Sequence, residues 1–429
     1  MIKHLIVLGT RPELIKISPY IRLLKIKNEK FDIIDTGQHY DYEMSDIFYR
    51  ELDIPSPRIK FQLPKNNPNS QIGFILTELL NSIPTLNPDV IYAQGDTNTV
   101  LATALASQRL LIPFVHIEAG IRSFDNTMPE EINRRVASIC ASIHCCPTSL
   151  SAKYLLMEGV DPKRIFITGN TIIDSLNYFL KNKAEFLKKY EEFSKLLNQE
   201  FYLLTLHRPL TVDNKNTLEK VLLAINKLGK KVLFLIHPRT SSRIEEFNLN
   251  HLIQNNNFVI EKPVGYFEFL ILLEKCSGII TDSGGIQEES TTMNKVCAVI
   301  RPNTERPEAI ISGFSKMINP LDNEFEKKLI DYFKKSKKAS HSINNPFGDG
   351  KASERILDIV KSTIQEHSIK FIPPDYTSGY IDINYIKNEA IDKIDEIKLS
   401  FDENGELIID KNEMKNGKHI IGYIIRKFT

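Results

Sequence analysis

Short apolar runs that stop at a glycine or an acid, each followed by an amphipathic stretch, constrain this chain more than any other feature. "KHLIVLG", "FDIIDTG", "DVIYAQG", "FVHIEA" and "RIFITG" succeed one another in the first half. After a break the pattern returns in "FYLLTLH", "KVLFLIH", "NFVIEKP", "GIITDSGG" and "VCAVIR". Such runs suit strands covered on both faces, and the amphipathic stretches suit crossover helices, so each half predicts a parallel sheet. A charged helical connector, "YFLKNKAEFLKKYEEFSKLLNQE" (178–200), separates the halves. The pattern therefore predicts two doubly wound, Rossmann-like α/β domains, residues 1–177 and 178–365. Ligands of such sheets bind beyond the carboxyl ends of the strands, so two of them face to face would make a cleft.

Residues 366–429 break the pattern. "KFIPPDY" (370–376) interrupts the helix that begins near Lys351, "IKLSFDENGELIID" reads as a hairpin around an Asn-Gly turn, and "HIIGYIIRKF" as a further strand. This small β-rich extension shows no recognisable chemistry; packing or oligomerisation is its expected role.

Composition narrows the function classes. A chain of 429 residues exceeds one typical core, and 42% hydrophobic with 25% charged residues is ordinary for a globular protein. A net charge of +1 offers nothing to nucleic acid or an anionic membrane. No apolar stretch reaches spanning length, and "MIKHLIVLGT" is too short and too polar at its end for a secretory signal, so a cytoplasmic location is expected. Cys140, Cys145, Cys146, Cys276 and Cys297 form no C-x-x-C pair, which fits buried reduced thiols.

Polar groups gather at the predicted strand ends: "GTRPE", "GQHYD", "QGDTNT" and "HIEAGIRS" in the first half, "TLHRP", "IHPRT", "TDSGG" and "NTERPE" in the second. That favours a large polar ligand. Asp96 and Glu118 end consecutive strands; they would act in a site, or else Asp96 caps the next helix and Glu118 is merely solvated. Glu130–Arg134 and Glu131–Arg135 are spaced i,i+4 at a helix start, which equally fits exposed salt bridges. His207 ends the first strand of the second half, in a structural or a catalytic role. No histidine or cysteine spacing suggests a metal, and "LGTRPEL" is not the glycine fingerprint of a nicotinamide fold, so no cofactor is expected. "TDSGGIQEES" is contradictory by itself: Ser283, Gly284 and Gly285 suit an anion at a helix start, yet Glu288 and Glu289 follow at once.

In order along residues 1–362, "GTRPELIK", "GQHYDYEMS", "QGDTNTVLA", "HIEAGIRSFDNTMPEEINR", "ITGNTIID", "TLHRP", "ITDSGGIQEES", "NTERPE" and "NPFGDGKASERI" resemble the non-hydrolysing UDP-N-acetylglucosamine 2-epimerases. The resemblance implies the two-domain architecture of B-type glycosyltransferases, a UDP-sugar substrate between the domains, and a homodimer. It implies inversion at C2 of the sugar by elimination of UDP and re-addition. It implies Asp96, Glu118 and Glu130 as acid/base groups and His207 as a further catalytic residue. Arg11, Lys16, Arg134, His237, Phe269 and Arg306 would bind substrate, with the diphosphate at Ser283, Gly284 and Gly285. Glu289 would accept hydrogen bonds from the ribose diol, which removes the contradiction: the acid faces hydroxyls while the N–H groups face phosphate.

Two departures stand out. Leu210 occupies the position of a glutamate in His-Arg-x-Glu, and Tyr40 follows Gln38 and His39 where bacterial members carry an arginine in a regulatory site. Activation by substrate is therefore not expected. The alternatives are a UDP-2,3-diacetamido-2,3-dideoxy-glucuronate 2-epimerase, a hydrolysing 2-epimerase, and a glycosyltransferase or UDP-sugar-binding protein.

Overall fold

The computed structural model describes residues 1–38, 49–64, 70–187, 200–335 and 345–365, with 400–401 and 407–408. The first sheet holds β1 (Lys3–Leu8), β2 (Lys30–Asp35), β3 (Ile59–Lys60), β4 (Val90–Gln94), β5 (Phe114–Ile117), β6 (Ile143–Cys146) and β7 (Ile165–Ile167). The second holds β8 (Phe201–Thr205), β9 (Lys231–Leu235), β10 (Phe258–Glu261), β11 (Gly278–Thr281), β12 (Cys297–Val299) and β13 (Ser315–Met317). Their orders are β3-β2-β1-β4-β5-β6-β7 and β10-β9-β8-β11-β12-β13, parallel at every pairing. This is the doubly wound arrangement predicted from the apolar runs.

In each sheet the chain winds outward from the central strand, then returns to wind the other way. The reversal falls between β1 and β4 and again between β8 and β11, and it parts the loops there into a crevice.

Alternation along the buried strands explains why helices cover both faces. In β1, Leu5 and Val7 join Ile75, Leu79 and Ile83 of the helix Gln71–Leu86. Ile6 and Leu8 join Ile17, Ile21 and Leu24 of the helix Arg11–Ile26. That second cluster does not stop at the domain. It runs through Leu176 and Phe179 of the helix Thr171–Leu187 to Phe267 and Leu270 of the helix Tyr266–Lys275, and on to Leu203 and Ile279 of the second sheet. The Phe179 and Phe267 rings stack at 5.8 Å. Each buried ring contributes about 1.5–3 kcal/mol of apolar transfer energy, so the joint between the sheets is a piece of core.

The helix Ala352–Gln365 packs against Arg11–Ile26 and Thr171–Leu187, and Asp174 caps it by accepting from Ala352 N at 3.2 Å and Ser353 N at 2.9 Å. Beyond it, β14 (Ser400–Phe401) and β15 (Leu407–Ile408) pair antiparallel, Ser400 opposite Ile408, as the hairpin reading requires. The "KFIPPDY" break, the "HIIGYIIRKF" strand, His39, Tyr40 and residues 188–199 of the connector lie outside the described residues. Among the described residues no helix is long and apolar enough to cross a membrane. All five cysteines are buried and free of disulfides.

Candidate active site

At each chain reversal a buried carboxylate ties the two parting loops together. In the first domain Glu13 Oε2 accepts from Gly9 N and Thr10 N, both at 2.8 Å, while Thr97 Oγ1 donates to Oε1 at 2.5 Å. The loop after β1 is thereby fastened to the loop after β4. Gly9 is required there, because a Cβ would lie 2.1 Å from Thr36 Oγ1 and 2.3 Å from Thr99 Oγ1. Burial pushes the Glu13 carboxyl up to about 7. In the second domain Asp282 Oδ2 accepts from His207 N and Arg208 N, each at 2.8 Å, and Oδ1 lies 2.9 Å from His207 Nδ1. With Nδ1 so held, Nε2 is the imidazole nitrogen left for a ligand.

Asp96 sits in the first crevice. It does not cap the following helix; Thr97 does, accepting from Val100 N at 3.4 Å. Asp96 Oδ2 instead accepts from Arg134 Nη2 at 2.5 Å, and Asn133 Nδ2 donates to the Asp96 carbonyl at 2.9 Å. Arg134 also donates to Glu131 Oε2 at 3.0 Å. Glu131 is fully buried, accepting from Ser123 N at 2.9 Å and lying 3.5 Å from Arg135. It anchors the loop before its helix; the Glu131–Arg135 i,i+4 pair thus forms on a buried acid, while Arg134 turns to Glu131 and Asp96 instead of Glu130. Glu130 stands exposed in the first turn of the helix Pro129–Cys140, where its charge complements the helix dipole.

Glu118 follows β5 directly with φ at +67°, a left-handed conformation that costs a side-chain-bearing residue on the order of 1 kcal/mol or more. The solvated reading of this residue is excluded by its burial. Lys16 Nζ donates to its two oxygens at 2.7 and 2.9 Å, Arg306 Nη2 donates to Oε1 at 2.6 Å, and Gln94 donates to Oε2. Burial pushes the carboxyl up, but Lys16 and Arg306, joined by Arg134, outweigh it and hold Glu118 below the usual carboxylate range.

Arg306 comes from the second domain, so this cluster closes the cleft. Its other side pairs with Glu288, which is fully buried, accepts from Asn170 Nδ2 at 2.9 Å and lies 3.3 Å from Lys16 Nζ. Two carboxylates, a lysine and an arginine thus share one buried joint. Thr148 Oγ1 donating to Glu308 Oε1 at 2.5 Å, and Arg11 Nη2 donating to the Val264 carbonyl at 2.9 Å, cross between the domains elsewhere.

The helix Gly284–Thr292 starts behind Ser283, whose N–H donates to Thr281 Oγ1 at 3.0 Å. Gly284 lies against Glu305: a Cβ would meet Glu305 Oε1 at 2.5 Å, and Arg301 holds Oε2 at 2.7 Å. A Cβ on Gly285 would meet nothing within 4 Å. That leaves open space at a helix N-terminus, where N–H groups and dipole favour an anion. One turn on, Glu289 is buried, and burial, with Glu288 beside it, pushes its carboxyl up to about 8. His237 caps the helix Pro238–Glu246 with its ring 5.8 Å from that of His207; burial above all lowers the pKa of the His237 imidazole. Phe269 is half-buried on the helix Tyr266–Lys275.

The structure thus brings Lys16, Glu118 and Arg306 into one ion-paired cluster, sets the separate Asp96–Arg134 pair where the Arg134 charge reaches Glu118, and pairs His207 with Asp282. Glu130 makes no ion pair among the described residues. Sequence reasoning missed Glu13, Asp282 and Glu288 as organising carboxylates. Among the described residues no group of three or more His, Cys, Asp or Glu side chains is placed to hold a metal ion.

The comparisons agree with this architecture. A family model described as UDP-N-acetylglucosamine 2-epimerase matches residues 23–361. The UDP-N-acetylglucosamine 2-epimerase of Methanocaldococcus jannaschii is 41% identical over 362 residues, which cover 83% of this chain and 98% of that protein. The UDP-2,3-diacetamido-2,3-dideoxy-D-glucuronate 2-epimerase of Pseudomonas aeruginosa is 32% identical, over 83% of this chain and 98% of its own. A crystal structure of the M. jannaschii UDP-GlcNAc 2-epimerase, solved in complex with UDP-GlcNAc and UDP, superposes with a TM-score of 0.75 at 40% identity, covering 84% of this chain and 99% of that one. Its sheets, its crevices and these likenesses together make the chain a member of the UDP-N-acetylglucosamine 2-epimerase family of isomerases.

Proposed function

We propose that the protein inverts C2 of the sugar of UDP-N-acetylglucosamine, giving UDP-N-acetylmannosamine. The C2 proton is only weakly acidic, so the proposed route is elimination. A base removes the C2 proton as the C1–O bond breaks, UDP leaves with the bonding pair, and 2-acetamidoglucal forms. Re-addition delivers a proton to the other face of C2 while UDP re-forms the C1–O bond.

The observation that carries this reading is the Glu118 cluster: a buried carboxylate in a strained backbone, held by Lys16 and Arg306 from the two domains. Elimination requires a base at the sugar and cations for a departing diphosphate, and a buried joint that holds a carboxylate beside a lysine and an arginine supports assigning both roles to it. Asp96 beside Arg134 is the second acid/base candidate and Glu130 the third. In this reading His207, fixed by Asp282, and the Ser283–Gly285 helix start hold the diphosphate. Glu289 takes the ribose diol, and Arg11, His237 and Phe269 line the rest of the substrate's path. The greater identity to the N-acetylglucosamine enzyme than to the glucuronate enzyme favours the former substrate.

Amide variants test the chemistry. Asp96→Asn, Glu118→Gln and Glu130→Gln keep shape but cannot take a proton, so kcat should fall roughly 10²–10⁴-fold for each group that transfers one, with UDP affinity nearly unchanged. Turnover of both UDP-sugars is followed by proton NMR. Three folded variants with wild-type rates would leave the elimination without its base.

A further inference from the structure

We propose that Glu288 is a positioning residue of the reaction: it shares Lys16 and Arg306 with Glu118 across the domain joint, and so sets how tightly those two cations hold the Glu118 carboxylate. The inference rests on the epimerase reading above for its catalytic meaning, but its geometry stands alone. Arg306 reaches Glu288 with Nε and Glu118 with Nη2, so one guanidinium bridges two carboxylates. Lys16 lies 2.7 Å from Glu118 and 3.3 Å from Glu288. Asn170 Nδ2 donates to Glu288 Oε1 at 2.9 Å, which fixes the carboxylate that faces the cations.

Every element around Glu118 contributes to the balance. Lys16 comes from the helix Arg11–Ile26, Gln94 from the end of β4, and His116 from β5 itself. Arg134, paired with Asp96, comes from the helix Pro129–Cys140, and Arg306, with Glu305 beside it, from the second domain. On the Glu288 side stand Glu289 and Tyr266. In this arrangement the two cations are divided between two carboxylates. Without the Glu288 charge both would fall to Glu118 alone, which would hold its carboxylate harder and make it a weaker base.

The test is a carboxyl titration in full-length protein carrying ¹³C-labelled glutamate, with the Glu118 signal identified by its loss in Glu118→Gln. Glu288→Gln keeps the hydrogen bond from Arg306 and removes the charge, so the Glu118 midpoint should move to lower pH. Glu288→Asp, which keeps the charge, should return it most of the way. Asn170→Ala, which only weakens the hold on Glu288, should move it the same way by less, and it serves where Glu288→Gln does not fold. In turnover assays the acid limb of the Glu288→Gln kcat profile should follow the same shift, and kcat should fall by up to roughly 10²-fold. An unmoved Glu118 midpoint in the folded variants would overturn the proposal whether or not the enzyme epimerises. A wild type that fails to turn over UDP-sugar while the midpoint still moves would overturn only the epimerase reading.

Discussion

Glu289 shows how far a single residue's environment departs from its sequence context. It sits in a polar run, "GGIQEES", yet is buried, and burial lifts its carboxyl to about 8. A carboxyl raised on folding binds its proton more tightly in the folded than in the unfolded chain, so folding favours the protonated form. Its contribution to stability is intact below the ordinary value of 4.5 and is lost as pH rises toward about 8. Glu289→Gln, which cannot ionise, should therefore match the wild-type melting temperature near the lower end of that window and exceed it progressively toward the upper end. A gap that does not change with pH would show that Glu289 is not held protonated. Arg134 teaches a similar lesson from the other side. Helical spacing offers it Glu130, but it donates to Asp96 at 2.5 Å and to Glu131 at 3.0 Å, because the loop after β4 brings Asp96 over the helix.

At the scale of elements, the helix Gly284–Thr292 carries two glycines with opposite surroundings, and substitution should separate them. Gly284→Ala drives a methyl into Glu305, which Arg301 pins, and should cost about 1–3 kcal/mol of stability. Gly285→Ala meets open space and gains helix propensity, so its stability should hold or rise by up to about 1 kcal/mol. If phosphate occupies that space, UDP affinity should nonetheless fall for Gly285→Ala, as calorimetry would read. Equal UDP affinity in Gly285→Ala and wild type would place the diphosphate elsewhere. Long apolar runs made the central strands legible, but β3 and β13, short edge strands without such runs, were not. Neither was β6, whose "IHCC" is followed by Pro147 rather than closed by a glycine or an acid. The organising carboxylates Asp282 and Glu288 were hidden for a different reason. Asp282 does close a buried strand, β11, but the loop it ties lies 75 residues away in sequence, and Glu288 pairs across the domains, so no local period marks the partners of either. Asp96, Glu118 and His207 were visible because a charge closing a buried strand is a local signal.

For the whole molecule, the joint between the sheets has two parts with different properties. The Phe179–Phe267 stack and the helix Ala352–Gln365 bind the two domains through apolar packing. The Lys16–Glu118–Glu288–Arg306 cluster closes them through charge. In the proposed reaction UDP remains bound between elimination and re-addition, and a cleft closed by charges that the diphosphate can engage provides that containment. The direct test of the account is turnover of UDP-N-acetylglucosamine in D₂O, read by proton NMR and mass at C2. Removal of the C2 proton before another is delivered predicts UDP-N-acetylmannosamine carrying solvent deuterium at C2, with UDP retained in the product. UDP-N-acetylmannosamine that keeps the substrate's own C2 hydrogen, with no deuterium incorporated, would contradict it.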